Sequence, residues 1–87
     1  MNSEAAPLAA QILQLIHSEE LLETGEDFTL DCDLFEAGLD SMAIMQLTLL
    51  LEREFGVSLP QALIVKNTFS SARNLAQVLM QLGVKPA

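Results

Sequence analysis

Apolar positions fall into helical stretches separated by one long irregular segment. Leu8, Ile12, Leu15 and Ile16 recur at i, i+4, i+7 and i+8, one apolar face of an amphipathic helix. Pro7 suits its first turn, so the pattern predicts a helix running to about Glu20, or as far as Leu22. The clearest helix is Ser41 to Phe55. Ile44, Leu47, Leu51 and Phe55 make one stripe along it, and Met42, Met45 and Leu49 make a second on another face, with Leu50 adding to the apolar girth. One stripe is enough for a core, so this helix is either central or leaves a face for a partner. Gly56 stands at its C-terminal cap.

Ser58-Leu59-Pro60 opens a short third element, about Gln61 to Lys66, which Val65 and Asn67-Thr68 keep from growing. Ser70 or Ser71 then caps a last helix in which Ala72, Leu75, Ala76, Leu79 and Leu82 follow helical spacing, with Gly83 at its end. The pattern predicts an all-α fold: a small four-helix bundle of three principal helices plus a short third one. The first connection, Thr24 to Asp40, is long and has no clean period. Loops of this length are usually functional or disordered. Phe28, Leu30, Leu34, Phe35 and Leu39 are interspersed in it, so it is expected to be ordered and pinned to the helices.

Composition fits one small domain. The 87 residues form a single unit with a core from about Leu8 to Leu82 and short flexible termini. Half the residues are apolar, which excludes disorder. Charge divides the chain. Twelve acids against Arg53 give −11 over residues 1–54; Lys66, Arg73 and Lys85 give +3 over residues 55–87; the net is −8. Nine of the acids lie between Glu19 and Asp40. Such a surface repels nucleic acid and anionic lipid and attracts basic partners, or simply keeps the protein soluble. No apolar run reaches the ~18 residues of a membrane span. The start lacks the basic n-region of a signal peptide, and the expected location is cytoplasmic. The chain is expected to be a monomer. The short tails fit a free-standing protein, although an excised domain would look much the same.

Few residues offer chemistry. One His and one Cys, far apart, make no metal site, and the loop acids do not match a calcium loop. His17 near the end of the first helix is most simply a cation favoured by the dipole. Cys32 sits between Asp31 and Asp33, which disfavour a thiolate. No glycine-rich phosphate loop is present, and the chain does not read as an enzyme. What stands out is Ser41. It follows a Gly-containing turn at a helix N-terminus, where unpaired N–H groups and the positive dipole end favour a phosphate ester on its oxygen. Asp40 is placed to cap the helix. On capping alone, Asp-Ser is an ordinary helix start.

The string Asp33-Leu34-Phe35-Glu36-Ala37-Gly38-Leu39-Asp40-Ser41-Met42 resembles the attachment site of the acyl carrier and peptidyl carrier protein family. "LLEREFGVSLP", Leu50 to Pro60, is similar to the end of that family's second helix, and "TFSSARNLAQVL", Thr68 to Leu79, to the entry into its last. The resemblance covers about Leu8 to Leu82. It implies that a phosphopantetheinyl transferase moves 4′-phosphopantetheine from coenzyme A onto Ser41, and that the terminal thiol then carries an acyl group as a thioester between enzymes. The chain itself would catalyse nothing. The resemblance also makes Asp40 the acid recognised by the transferase, with Leu39 and Met42 as flanking apolar contacts and Glu36 as a loop acid in partner recognition.

The chain departs from fatty-acid carriers in one respect. Where their second helix shows several acids, this one has Ala43, Met45, Gln46 and Arg53, with Gln61, Ala62 and Leu63 in the third element; only Glu52 and Glu54 are left. The expected partners are acyl-loading and acyl-using enzymes with basic or apolar patches, docked by Met42, Met45, Leu49 and the acidic loop. The plainer alternative packs Met45 and Leu49 inside. Ala62, Ala72 and Ala76, facing Leu47 and Leu51, either leave a slot for an apolar chain or pack tightly. Three functions stay open: an acyl carrier of fatty-acid-like or polyketide-like biosynthesis; an aminoacyl or peptidyl carrier of a nonribosomal pathway; and an unmodified helical interaction module.

Overall fold

The computed structural model describes residues 5–22 and 28–85, and among them all regular structure is helical. The order is α1 (Ala5–Ser18), α2 (Ser41–Phe55), a 3₁₀ turn (Gln61–Leu63) and α3 (Ala72–Gln81). Each helix buries the stripe its spacing marks. Leu8, Ile12 and Ile16 of α1, Leu47 and Leu51 of α2, and Leu75 and Leu79 of α3 are fully buried in one core, closed by Leu34 and Phe69 from the connections. Helices α1 and α3 are the most closely packed pair. Residues 23–27, which include the start of the long connection, lie outside the described residues.

The first helix stops at Ser18, earlier than its apolar pattern extends. Glu20 takes a left-handed conformation, φ 54°, and the chain closes as a Schellman motif. Leu21 N–H donates to the Ile16 carbonyl (3.1 Å) and Glu20 N–H to the His17 carbonyl (3.1 Å). Leu22 is thereby turned into the core. The last helix ends the same way at Gly83, φ 101°, with Val84 N–H donating to the Leu79 carbonyl at 3.0 Å.

The expected third helix is a single 3₁₀ turn. Pro60 enters it extended, with ψ 147°, and Ile64 leaves it at ψ 70°, outside the helical region. Only Leu63 and Ile64 close bonds back, to Pro60 and Gln61. Branched Ile64 and Val65, with Asn67 after them, give no reason to continue toward Lys66. Ala62 is exposed, so it takes no part in a slot; Ala72 and Ala76 are fully buried in the core with Leu47 and Leu51. Ala43, taken as a surface position, is also buried.

From Phe28 onward the long connection is tied to the start of α3. Arg73 N–H, an orphan donor of that helix's first turn, reaches the Leu30 carbonyl at 2.9 Å. Asn74 N–H reaches the Ser71 hydroxyl at 3.0 Å, which identifies Ser71 as the cap. Leu34 N–H donates to the Ser70 carbonyl at 3.0 Å. The Arg73 guanidinium grips Asp31 with two bonds, 2.7 and 3.3 Å.

That grip has a pH signature. Hydrogen bonding from Arg73 holds the Asp31 carboxyl below its ordinary value of 3.8; desolvation opposes it, and the charge of Arg73 adds a smaller push in the same direction as the hydrogen bond. A depressed carboxyl contributes stability that is complete above the unfolded value and lost as pH falls through the folded one. Asp31→Asn is therefore expected to melt below the wild type at pH 5–7. The two melting curves should converge as the pH is taken well below 3.8. Melting temperatures across that range check it. The pair is solvent-exposed, so added salt should shrink the gap.

Candidate functional site

Ser41 is the first residue of α2 and is exposed. The approach to it is built by the turn before it. Asp33 Oδ1 accepts from Phe35 N–H at 2.9 Å, Ala37 N–H and Leu39 N–H both donate to the Leu34 carbonyl at 3.1 Å, and Gly38 N–H donates to Phe35. Gly38 has φ 107°, a conformation that side chains rarely adopt. A Cβ there would meet nothing within 4 Å, so the backbone angle and not space requires glycine.

Leu34 and Leu39 anchor this turn from beneath, both buried in the core. Leu39 is thus not the exposed docking contact the motif implied. Its side chain is spent on seating the turn that presents Asp40 and Ser41. Phe35 is half-buried and carries Lys66 Nζ at 5.3 Å from its ring centre, a cation–π contact that joins the segment after the 3₁₀ turn to the same loop.

Asp40 caps α2 as expected. Its backbone is extended, φ −122° and ψ −175°, and Oδ1 accepts from Ala43 N–H at 2.9 Å while its carbonyl accepts from Ile44 N–H at 2.8 Å. By helix geometry the N–H groups of Ser41 and Met42 have no carbonyl one turn earlier. The Ser41 hydroxyl therefore stands beside open donors at the positive end of a fifteen-residue helix. A phosphate ester on this oxygen fits: the hydroxyl is accessible, and the end of the helix stabilises the anion. Asp40→Ala is expected to cost about 1 kcal/mol through the lost cap, whereas Asp40→Asn should cost far less. Urea denaturation of the three proteins checks both.

Beyond Ser41 the outer face of α2 is apolar. Met42 is 70% exposed, Met45 67% and Leu49 64%, and i+4 beyond Leu49 comes exposed Arg53. The reading in which Met45 and Leu49 pack inside does not hold. The acids near this face are fewer than the sequence offers. Glu52 is turned aside, Oε2 accepting from Leu59 N–H at 2.8 Å, and holds the 57–60 connection against α2. That bond spans seven residues, and no local pattern announces it. Glu36 is exposed on the turn before Asp40, so Glu36, Asp40, Ser41 and Met42 gather at one end of α2. His17 lines a cleft with Glu54 and Phe55, at the other end of α2 from Ser41. Cys32 is held in its own turn, accepting from Thr29 N–H at 3.3 Å. No group of three or more metal-ligating side chains is present among the described residues.

With the geometry in place, three comparisons bear on it. A family model described as "Phosphopantetheine attachment site" matches residues 10–79. Among solved structures, the chain is similar to a carrier protein from Agrobacterium tumefaciens, solved with an engineered Bradyrhizobium japonicum glycine:[carrier protein] ligase and ATP. The identity is 27% over 85% of this chain and 97% of that one, with a TM-score of 0.75. No curated protein matches significantly.

Proposed function

The chain belongs to the family of phosphopantetheine-attachment domains, carriers that hold 4′-phosphopantetheine covalently and are not themselves enzymes, and from that premise we propose that Ser41 is the attachment residue. The observation that carries this is the exposed Ser41 hydroxyl at the capped N-terminus of α2. A phosphopantetheinyl transferase supplies the arm. The Ser41 oxygen forms a bond to the phosphorus of coenzyme A that bears the pantetheine, the bond from that phosphorus to the bridging pyrophosphate oxygen breaks, adenosine 3′,5′-bisphosphate leaves, and the hydroxyl proton goes to base. Once attached, the arm offers a thiol that holds cargo as a thioester. Asp40 keeps the first turn of α2 formed while the transferase engages it. Incubation with coenzyme A, magnesium and a promiscuous transferase tests the reading. One arm's mass gained per chain supports it, and an unchanged intact mass sinks it, leaving an unmodified interaction module.

The cargo is read as acyl, in a fatty-acid-like or polyketide-like pathway. An aminoacyl cargo is the second reading, favoured by the likeness to a carrier solved with a glycine ligase. ATP-dependent glycine loading by that ligase, set beside malonyl transfer by an acyltransferase, separates the two. Three helices with a 3₁₀ turn between the second and the last support reading the fold as a small helical carrier fold. Its expected setting is the cytoplasm; no described helix is long and apolar enough to cross a membrane.

Partners dock on Met42, Met45 and Leu49, with Glu36 and Asp40 at the loop end. Methionine adapts to varied surfaces, and three large apolar side chains exposed in one row are more than a monomer needs. Met45→Glu is expected to weaken turnover with partner enzymes about tenfold, the scale of one lost anchor. The melting temperature should not move, because the side chain is exposed. A large loss of stability would contradict the docking role.

A further inference from the structure

We propose that Met42 and Met45 are a modification site for peroxides, and that converting both thioethers to sulfoxides withdraws the chain from its partner enzymes without unfolding it. This rests on the docking role given to their row. The two side chains are neighbours one turn apart on the outer face of α2, 70% and 67% exposed, and Met42 directly follows Ser41. Neither belongs to the core, whereas Met80 of α3 is half-buried and packs against it. The exposed sulfur is thus concentrated where partners dock.

The chemistry follows from this placement. A thioether sulfur reacts with a peroxide without first losing a proton. It attacks one peroxide oxygen: a sulfur–oxygen bond forms, the oxygen–oxygen bond breaks, and sulfur gives up two electrons. With hydrogen peroxide, the displaced hydroxide takes the proton of the transferred oxygen and leaves as water. An apolar, flexible side chain becomes a polar one. On the free chain the sulfoxide is solvated, so folding costs nothing extra. Against an apolar partner patch the same oxygen would be buried without a donor, so docking is penalised. Leu49 has no sulfur, so the row is weakened rather than erased. Cys32 is the competing group. Its Sγ accepts from Thr29 N–H at 3.3 Å and lies 3.4 Å from the Thr29 hydroxyl, and Asp31 and Asp33 beside it disfavour the thiolate that would attack a peroxide. Methionine sulfoxide reductases reverse the step, one for each sulfoxide epimer; a dithiol supplies the two electrons and the oxygen leaves as water.

The test treats the full chain, before any arm is attached, with hydrogen peroxide at mildly acidic pH, where thiols are protonated. The peroxide is then removed. Peptide masses, the melting temperature and the rate of arm transfer from coenzyme A by a transferase, with the chain below its KM, are measured. One oxygen each on Met42 and Met45 is expected before any on Met80 or Cys32. The melting temperature should stay put, and transfer should slow about tenfold, the scale of one lost anchor. The two sulfoxide reductases together should restore the rate. Met42→Leu/Met45→Leu keeps an apolar row without sulfur; measured against its own untreated rate, it should not respond to peroxide. Faster oxidation at Met80 or Cys32, an undiminished rate with both sulfoxides present, a lower melting temperature, or an equal fall in the double variant would overturn the proposal. Met45→Glu tells this failure from that of the docking role. Slow transfer to Met45→Glu beside undiminished transfer to the oxidised chain defeats the modification site alone. Undiminished transfer to Met45→Glu defeats the docking role and the modification site with it, and no transfer to the untreated chain defeats the attachment reading and both.

Discussion

Phe69→Ala is expected to cost about 3–5 kcal/mol, the usual scale for deleting a fully buried ring. A domain of this size has about 4–13 kcal/mol in total, so the variant should be close to unfolding at physiological temperature. Phe69 heads the fully buried side chains and comes not from a helix but from the segment between the 3₁₀ turn and α3. It is held there by Phe69 N–H to the Lys66 carbonyl (3.2 Å), and the next carbonyl, Ser70, accepts from Leu34 in the long connection. The cavity would therefore open where the loop that presents Ser41 joins the core. Urea denaturation should show a much lower midpoint with an unchanged slope. Phe69→Leu, which keeps most of the volume, should lose much less. A Phe69→Ala unfolding free energy within about 1 kcal/mol of wild type would mean that the connection is not part of the core.

Ser41→Ala should have the opposite profile: an intact fold and no arm. The side chain is exposed, alanine is a good helix former, and the cap belongs to Asp40, whose bond to Ala43 N–H does not involve Ser41. Stability should stay within about 0.5 kcal/mol of wild type. Loading by a transferase should vanish altogether, since no oxygen is left to form the phosphoester. Ser41→Thr is a useful comparison. It keeps a hydroxyl but adds a methyl, so slow loading there would show that the transferase reads the position closely. A folded Ser41→Ala that still gains mass would contradict the assignment.

Much of this was legible from spacing. The stripes of α1, α2 and α3 are i, i+3, i+4 patterns, and a helix that buries one face must show them. The bounds of α2 were legible as well, because Asp40 and Gly56 are a cap and a left-handed stop written into the chain. The end of α1 was not, because Glu20, with no glycine to mark it, takes the left-handed position. Leu39 carried two readings, an apolar residue that pins the loop to the helices and a contact beside Ser41, and its burial decides for the first. Long-range pairs escaped entirely. Arg73 with Asp31, Lys66 with Phe35 and Glu52 with Leu59 N–H depend on how the connections fold back, which no local period encodes. The outer face of α2 lay between these cases. Its apolar residues were visible, and the choice between core and surface needed their exposure.

The central claim is that one arm is attached at one oxygen, that of Ser41. Its most direct test is peptide-level mass spectrometry of the wild-type chain after incubation with coenzyme A, magnesium and a transferase. The prediction is a single phosphopantetheine, carried by the fragment that contains Ser41 and absent from the fragments bearing Ser58, Ser70 and Ser71. An arm on any other serine, or no modified fragment at all, would contradict the account.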